Sequence, residues 1–118
     1  MTAIDDFIAS RRDDNRAVLE QDHLGIKRFF NLDEAAYRDG ALAARTKELC
    51  GLVASLVLRC NDCVDYHLLQ CRKAGWAEAE IVDALNVGLV VGGSIVIPHL
   101  RHAVRTLEEL RGREELAL

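Results

Sequence analysis

The stretch RCNDCVDYHLLQC, Arg59 to Cys71, places cysteines at 60, 63 and 71 and a histidine at 67. On a helix, steps of three, four and four residues bring all four side chains onto one stripe. Thiols and an imidazole so arranged suit a metal site, a redox dithiol, or simple burial on one face. Zinc ligands must all lie within about 2.3 Å of the ion. A helical stripe of this length runs roughly 16 Å at about 1.5 Å per residue, so one ion cannot gather all four. Cys60, Cys63 and His67 with a ligand from elsewhere form a weaker alternative, and no metal is expected.

A redox dithiol fits better. Cys60 falls at the start of a helix and Cys63 in its first turn, where unpaired N–H groups and the helix dipole favour a thiolate. With non-helical backbone at Cys60, the two sulfurs can bond with little distortion. Negative charge on Asp62 and Asp65 opposes a thiolate, and Arg59 favours it. His67 lies one turn beyond Cys63, within reach directly or through one water. If the chain reverses near Arg59–Cys60, antiparallel helices put Glu48 and His67 within roughly one turn of each other in height. Carboxylate, imidazole and thiol would then form a nucleophile, its base and the group that orients the base. Glu48 on an apolar helix needs a partner if buried, and His67 is the obvious one.

The elements that must position these groups read as helices. Leu49, Leu52, Val53, Leu56 and Val57 share one face of a helix over 43–58. A second helix spans about 61–74, with Lys73 in its last turn and Gly75 just beyond it. Glu78 and Glu80 open a third, whose Ile81, Val82, Leu85 and Val87 predict burial nearly all round. Gly92-Gly93 interrupts it, and Pro98 suits the first turn of a last helix over 99–110, ending near Gly112. The β-branched residues at 95–97 have no partner strand. Before Asp39-Gly40, a turn signal, residues 3–20 read as one helix and 22–38 as a short helix or two. Phe29 and Phe30 there could pack at a subunit contact.

The combined pattern Glu48-x11-Cys60-x2-Cys63-x3-His67 resembles the alkylhydroperoxidase D-like branch of the carboxymuconolactone decarboxylase family. The resemblance covers about residues 33–110, including ARTKELCGLVASLVLRCNDCVDYHLLQCRKAGWAEAEIVDAL and GGSIVIPHLRHA. It implies an all-α, compact, oligomeric domain, a homotrimer or homohexamer with sites near subunit contacts. It also implies thiol-dependent reduction of hydroperoxides. Cys63 would attack, Cys60 would resolve the product to a disulfide, Glu48 and His67 would relay protons, and an external dithiol or thiol protein would supply electrons. The best-known members carry a histidine just before the second cysteine, where this chain has Asp62. Two rival readings stay open. One is a lyase acting on a small lactone acid, with His67 or His99 as acid–base group. The other is a non-catalytic oligomeric redox sensor.

Composition narrows the field further. The 118 residues are half apolar and poor in aromatics, which favours one helical domain spanning 1–118. A net charge of −4 with both signs interspersed gives no footprint for nucleic acid. The opening MTAIDDFIASRRDD lacks the apolar core of a signal peptide, and the run Val87–Ile97 is too short to span a membrane. A cytoplasmic location follows, where Cys-x-x-Cys is seldom a structural staple. Nicotinamide and flavin motifs are absent, so no cofactor is expected. Cys50 and Cys71 read as small core residues. His99 and His102 read as solvent or interface contacts, with His99 the better pocket candidate. His23 carries no signal. Tyr66 adjoins His67 and either contacts substrate or only packs. The Arg11–Arg16 run and RTLEELRGREEL read as solvated faces, the latter with its leucines on a partner.

Overall fold

The computed structural model describes residues 2–113, and all of its regular elements are helical. They are α1 (Ala3–Leu19), α2 (Leu24–Ala36), α3 (Ala44–Val57), α4 (Asn61–Lys73), α5 (Glu78–Gly92) and α6 (Ile97–Leu110). A single 3-10 turn, Ser94–Val96, leads into α6. It occupies the β-branched stretch, and Gly93 ahead of it takes a positive φ of 81° that a side chain would resist. The last helix begins two residues earlier than expected, with Pro98 inside its first turn.

The unit that carries the site is the antiparallel hairpin of α3 and α4. Helix α3 ends in a paired hydrogen-bond closure: Arg59 N–H donates to Leu56 C=O (3.0 Å) and Cys60 N–H to Ser55 C=O (3.1 Å). The closure needs a left-handed residue, and Arg59 supplies it with φ 60°. A non-glycine residue there costs about 1–2 kcal/mol, so the tight reversal is held against local preference. Cys60 then caps α4 at once. The far end of α4 closes the same way through Gly75, with φ 93°, as its sequence suggests.

Leu52, Leu56, Val64, Leu68, Ile81, Leu85, Val96, Ala103 and Leu107 form the core between α3, α4, α5 and α6. Each large side chain removed from water there contributes roughly 1.5–3 kcal/mol. Asp65, also buried, accepts from the Thr106 hydroxyl (2.6 Å) and from His102 Nε2–H (2.9 Å). Both histidines of α6 thus grip α4, since His99 Nδ1 bonds Asn61 Oδ1 at 2.8 Å. Trp76 donates its indole N–H to Arg45 C=O (2.8 Å), and the Arg45 guanidinium lies over its ring. Helix α1 docks through Ile4 on Leu69 and Leu110. Its first turn is pinned by Glu109, which accepts from Ile4 N–H, and by the Arg113–Asp5 pair, which holds the Asp5 carboxyl well below the usual range.

Several expectations change. Residues 24–36 form one helix, capped by His23 Nδ1, which accepts from Gly25 N–H. That helix has no fully buried residue, and Phe29 is exposed. Helix α5 is not buried all round: Val82, Val87, Val90 and Val91 stand in solvent, because only one face meets α3 and α6. Cys50 is exposed rather than core, since it lies on the side of α3 turned from α4. Leu107 and Leu110 pack in the chain's own core rather than on a partner, and the end of the RTLEELRGREEL stretch lies outside the described residues. Leu56→Ala is expected to lower unfolding free energy by about 2–5 kcal/mol in urea denaturation, the cost of a fully buried leucine.

Candidate active site

The N-terminus of α4 delivers the dithiol as its spacing suggests. Cys60 is the cap, with extended backbone (φ −104°, ψ 99°), and its Sγ accepts from Cys63 N–H at 3.3 Å. The two cysteines are paired as a disulfide, with Cα atoms 5.3 Å apart. Cys63 is exposed and Cys60 partly covered. The Asp65 charge expected to oppose a thiolate is instead spent on Thr106 and His102, on the inner side of α4.

One turn on, His67 is buried, and its Nδ1 lies 2.8 Å from Glu48 Oε2 on α3. A carboxylate only accepts, so Nδ1 carries a proton toward Glu48, and in the neutral ring Nε2 presents its lone pair. The Tyr37 hydroxyl donates to that Nε2 at 3.3 Å. Burial, and next the Glu48 and Asp33 charges, push the Tyr37 phenol above its ordinary range, so it stays protonated and able to donate. Tyr66 presents an edge contact to the imidazole, with centroids 5.0 Å apart.

Two hollows meet here. The smaller, about 220 Å³, is lined by Cys63, Asp62, Tyr66 and His67 of α4, with Arg11 and Asp33 facing them from α1 and α2. The larger, about 580 Å³, has Glu48, Tyr37, Phe30 and Leu19 in its wall and shares Arg11, Asp33 and Tyr66 with the first. His67 therefore stands between thiol and carboxylate, facing the one and bonded to the other. No hydrogen bond joins its ring to either sulfur in this disulfide form. Among the described residues, no three His, Cys, Asp or Glu side chains are grouped to hold a metal ion. Cys71 is sealed in the core, and burial pushes its thiol up to about 12, which leaves it unreactive.

A model of the carboxymuconolactone decarboxylase family matches residues 26–107. The chain belongs to that family. A family protein of Thermotoga maritima, for which a part in antioxidative response has been suggested, is 55% identical. The match covers 96% of this chain and 99% of that one, with a TM-score of 0.90. A family protein of Legionella pneumophila has the same fold at 22% identity, with a TM-score of 0.82 over 90% and 95% of the two chains. A protein encoded in the cox locus of Paracoccus denitrificans is 29% identical over 84 residues, 71% of this chain and 76% of that one.

The four expected site residues of this family member split between two contacts: the Cys60–Cys63 pair and the Glu48–His67 hydrogen bond. His99 and His102 serve α6–α4 packing, away from the hollows. Tyr37, Arg11 and Asp33 were not expected. Tyr37 is thirty residues from its partner and carries no spacing rule, and Arg11 hides in a charge run. Gly51, an interior helical glycine, did carry a signal of close approach. A Cβ there would lie 2.7 Å from both His67 Cε1 and Tyr37 Oη. Gly51→Ala is expected to part His67 from Tyr37 and to cost about 1–3 kcal/mol of stability. The nitrogen-15 shifts of the His67 ring and a thermal melt check both effects.

Proposed function

We propose that this protein is a thiol-dependent peroxidase in which Cys63 and Cys60 cycle between dithiol and disulfide. The observation that carries the reading is the shared hollow: the exposed Cys63 and the Glu48-bonded His67 line the same small space. The Cys63 thiolate attacks the outer oxygen of a hydroperoxide, and the O–O bond breaks. The departing alkoxide takes a proton, relayed by His67, and leaves as alcohol, while Cys63 becomes a sulfenic acid. The Cys60 thiol then attacks that sulfur, water leaves, and the disulfide forms. An external dithiol or thiol protein gives two electrons to the disulfide and is itself oxidised, which suits a reducing compartment such as the cytoplasm. Glu48 fixes the His67 tautomer and stabilises the imidazolium while it holds the proton.

The assay is consumption of an organic hydroperoxide with a dithiol donor. Cys63→Ser and Cys60→Ser are each expected to reduce turnover to background, and Glu48→Gln to lower kcat/KM about 10²-fold. A folded wild-type protein that consumes no hydroperoxide with any of several dithiol donors would sink the reading. Loss of a small lactone acid that survives cysteine alkylation would then identify a lyase, and reversible oxidation alone a sensor.

The same reading includes assembly as a homotrimer or homohexamer. An apolar groove of about 740 Å³ runs between α3 and α5, lined by Leu49, Val53, Val57, Leu58, Val87 and Val91. Val87, Val90 and Val91, at helical spacing on α5, are all exposed, and neighbouring exposed apolar side chains of this kind mark interaction surfaces. Val91→Glu is expected to lower the mass measured by light scattering on a sizing column from three or six chains toward one.

A further inference from the structure

Helix α1 places one side chain in the thiol hollow that the cysteine chemistry above does not use. Arg11 stacks its guanidinium on the Tyr66 ring, 4.2 Å from the centroid, and lines both hollows of the site. Among the described residues it has no carboxylate within ion-pair distance, although other arginines of the chain, such as Arg16, Arg38, Arg111 and Arg113, do. It also lies outside the residues that match the family model.

The charges around Cys63 come from every element that faces it. Helix α1 gives Arg11 and α2 gives Asp33, with Tyr37 beyond its end. Helix α4 gives Asp62 and Tyr66, and His67 carries the influence of Glu48 from α3. From α6, His99 reaches Asn61, next to Cys60. Two carboxylates, Asp33 and Asp62, thus border the hollow itself and disfavour a further negative charge on Cys63. Among the described residues that line it, Arg11 is the one permanent cation. Cys63, Asp33 and Asp62 are exposed and Arg11 is half-covered, so these charges act across a hollow open to solvent, with the moderate strength of a surface site.

We infer that Arg11 is the counter-charge of the Cys63 thiolate: held on the Tyr66 ring, it offsets Asp33 and Asp62 and keeps Cys63 ionised near neutral pH. The inference rests on the reading of Cys63 as the attacking thiol. Arg11 acts on that sulfur as a positioning residue, by its field rather than by proton transfer.

The test follows alkylation of Cys63 by iodoacetamide against pH in the Cys60→Ser protein, quantified on the Cys63 peptide so that Cys50 does not interfere. Arg11→Met is expected to raise the midpoint of the rate profile by about one pH unit, the low end for a close opposite charge. Arg11→Lys is expected to recover at least half of that shift. Asp62→Asn, at an exposed site that threatens no packing, is expected to lower the midpoint, and 1 M salt to shrink both effects. Unmoved profiles in Arg11→Met and Asp62→Asn would overturn the inference, as would an Arg11→Lys profile equal to that of Arg11→Met. An Arg11-dependent profile in a protein that reduces no peroxide would defeat the peroxidase reading and keep this one. Peroxide turnover with an Arg11-independent profile would do the reverse.

Discussion

The site depends on how tightly the chain turns between α3 and α4. Three residues, Leu58 to Cys60, close one helix and cap the next, and Arg59 accepts a left-handed backbone to make that possible. Because the turn is so short, the two helices have a single register. That register sets Glu48 level with His67, and it puts Cys60 at the cap and Cys63 in the first turn. A longer connection would let α4 slide or rotate, and the imidazole would lose its carboxylate before the core lost much burial. The α6 histidines reinforce the placement from the other side, one on Asn61 and one on Asp65. Polar side chains therefore hold the dithiol helix at its N-terminal half, while leucines hold it further along.

Much of this arrangement was legible in the residues. Periodicity placed α3 and α4, and rise per residue placed Glu48 opposite His67, because both inferences need only local geometry and one short turn. Gly75 and Pro98 marked helix ends for equally local reasons. The environment of α5 was not legible. A run of valines and leucines looks the same whether a helix is enclosed by its own chain or waits for a surface, and here half of it waits. Cys50 misled in the same way, since a thiol amid leucines reads as interior. Tyr37 and Arg11 were out of reach because they meet the site only through the docking of α1 and α2, which no spacing rule encodes.

The division of labour follows from that docking. Residues of α3 and α4 carry thiol, imidazole and carboxylate, and they belong to the segment shared with the family. The wall opposite them is made by α1 and the second half of α2, and α1 reaches the core through Ile4, Phe7 and Ile8. The hollow is thus built from two parts: the α3–α4 hairpin supplies sulfur, imidazole and carboxylate, and α1 with α2 supplies the facing Arg11, Asp33 and Tyr37. Asp62 lies where these two parts meet, beside Cys63 and across the hollow from Arg11.

Trp76 gives the molecule a built-in optical reporter. It is the chain's sole tryptophan, and its indole joins Arg45 at the head of α3 to the loop after α4. It sits at the opposite end of the hairpin from Cys60 and Cys63. Its fluorescence therefore follows the parting of the helices and is shielded by distance from direct quenching by the dithiol. A change of emission on oxidation would signal motion transmitted along α4, rather than the local chemistry of sulfur.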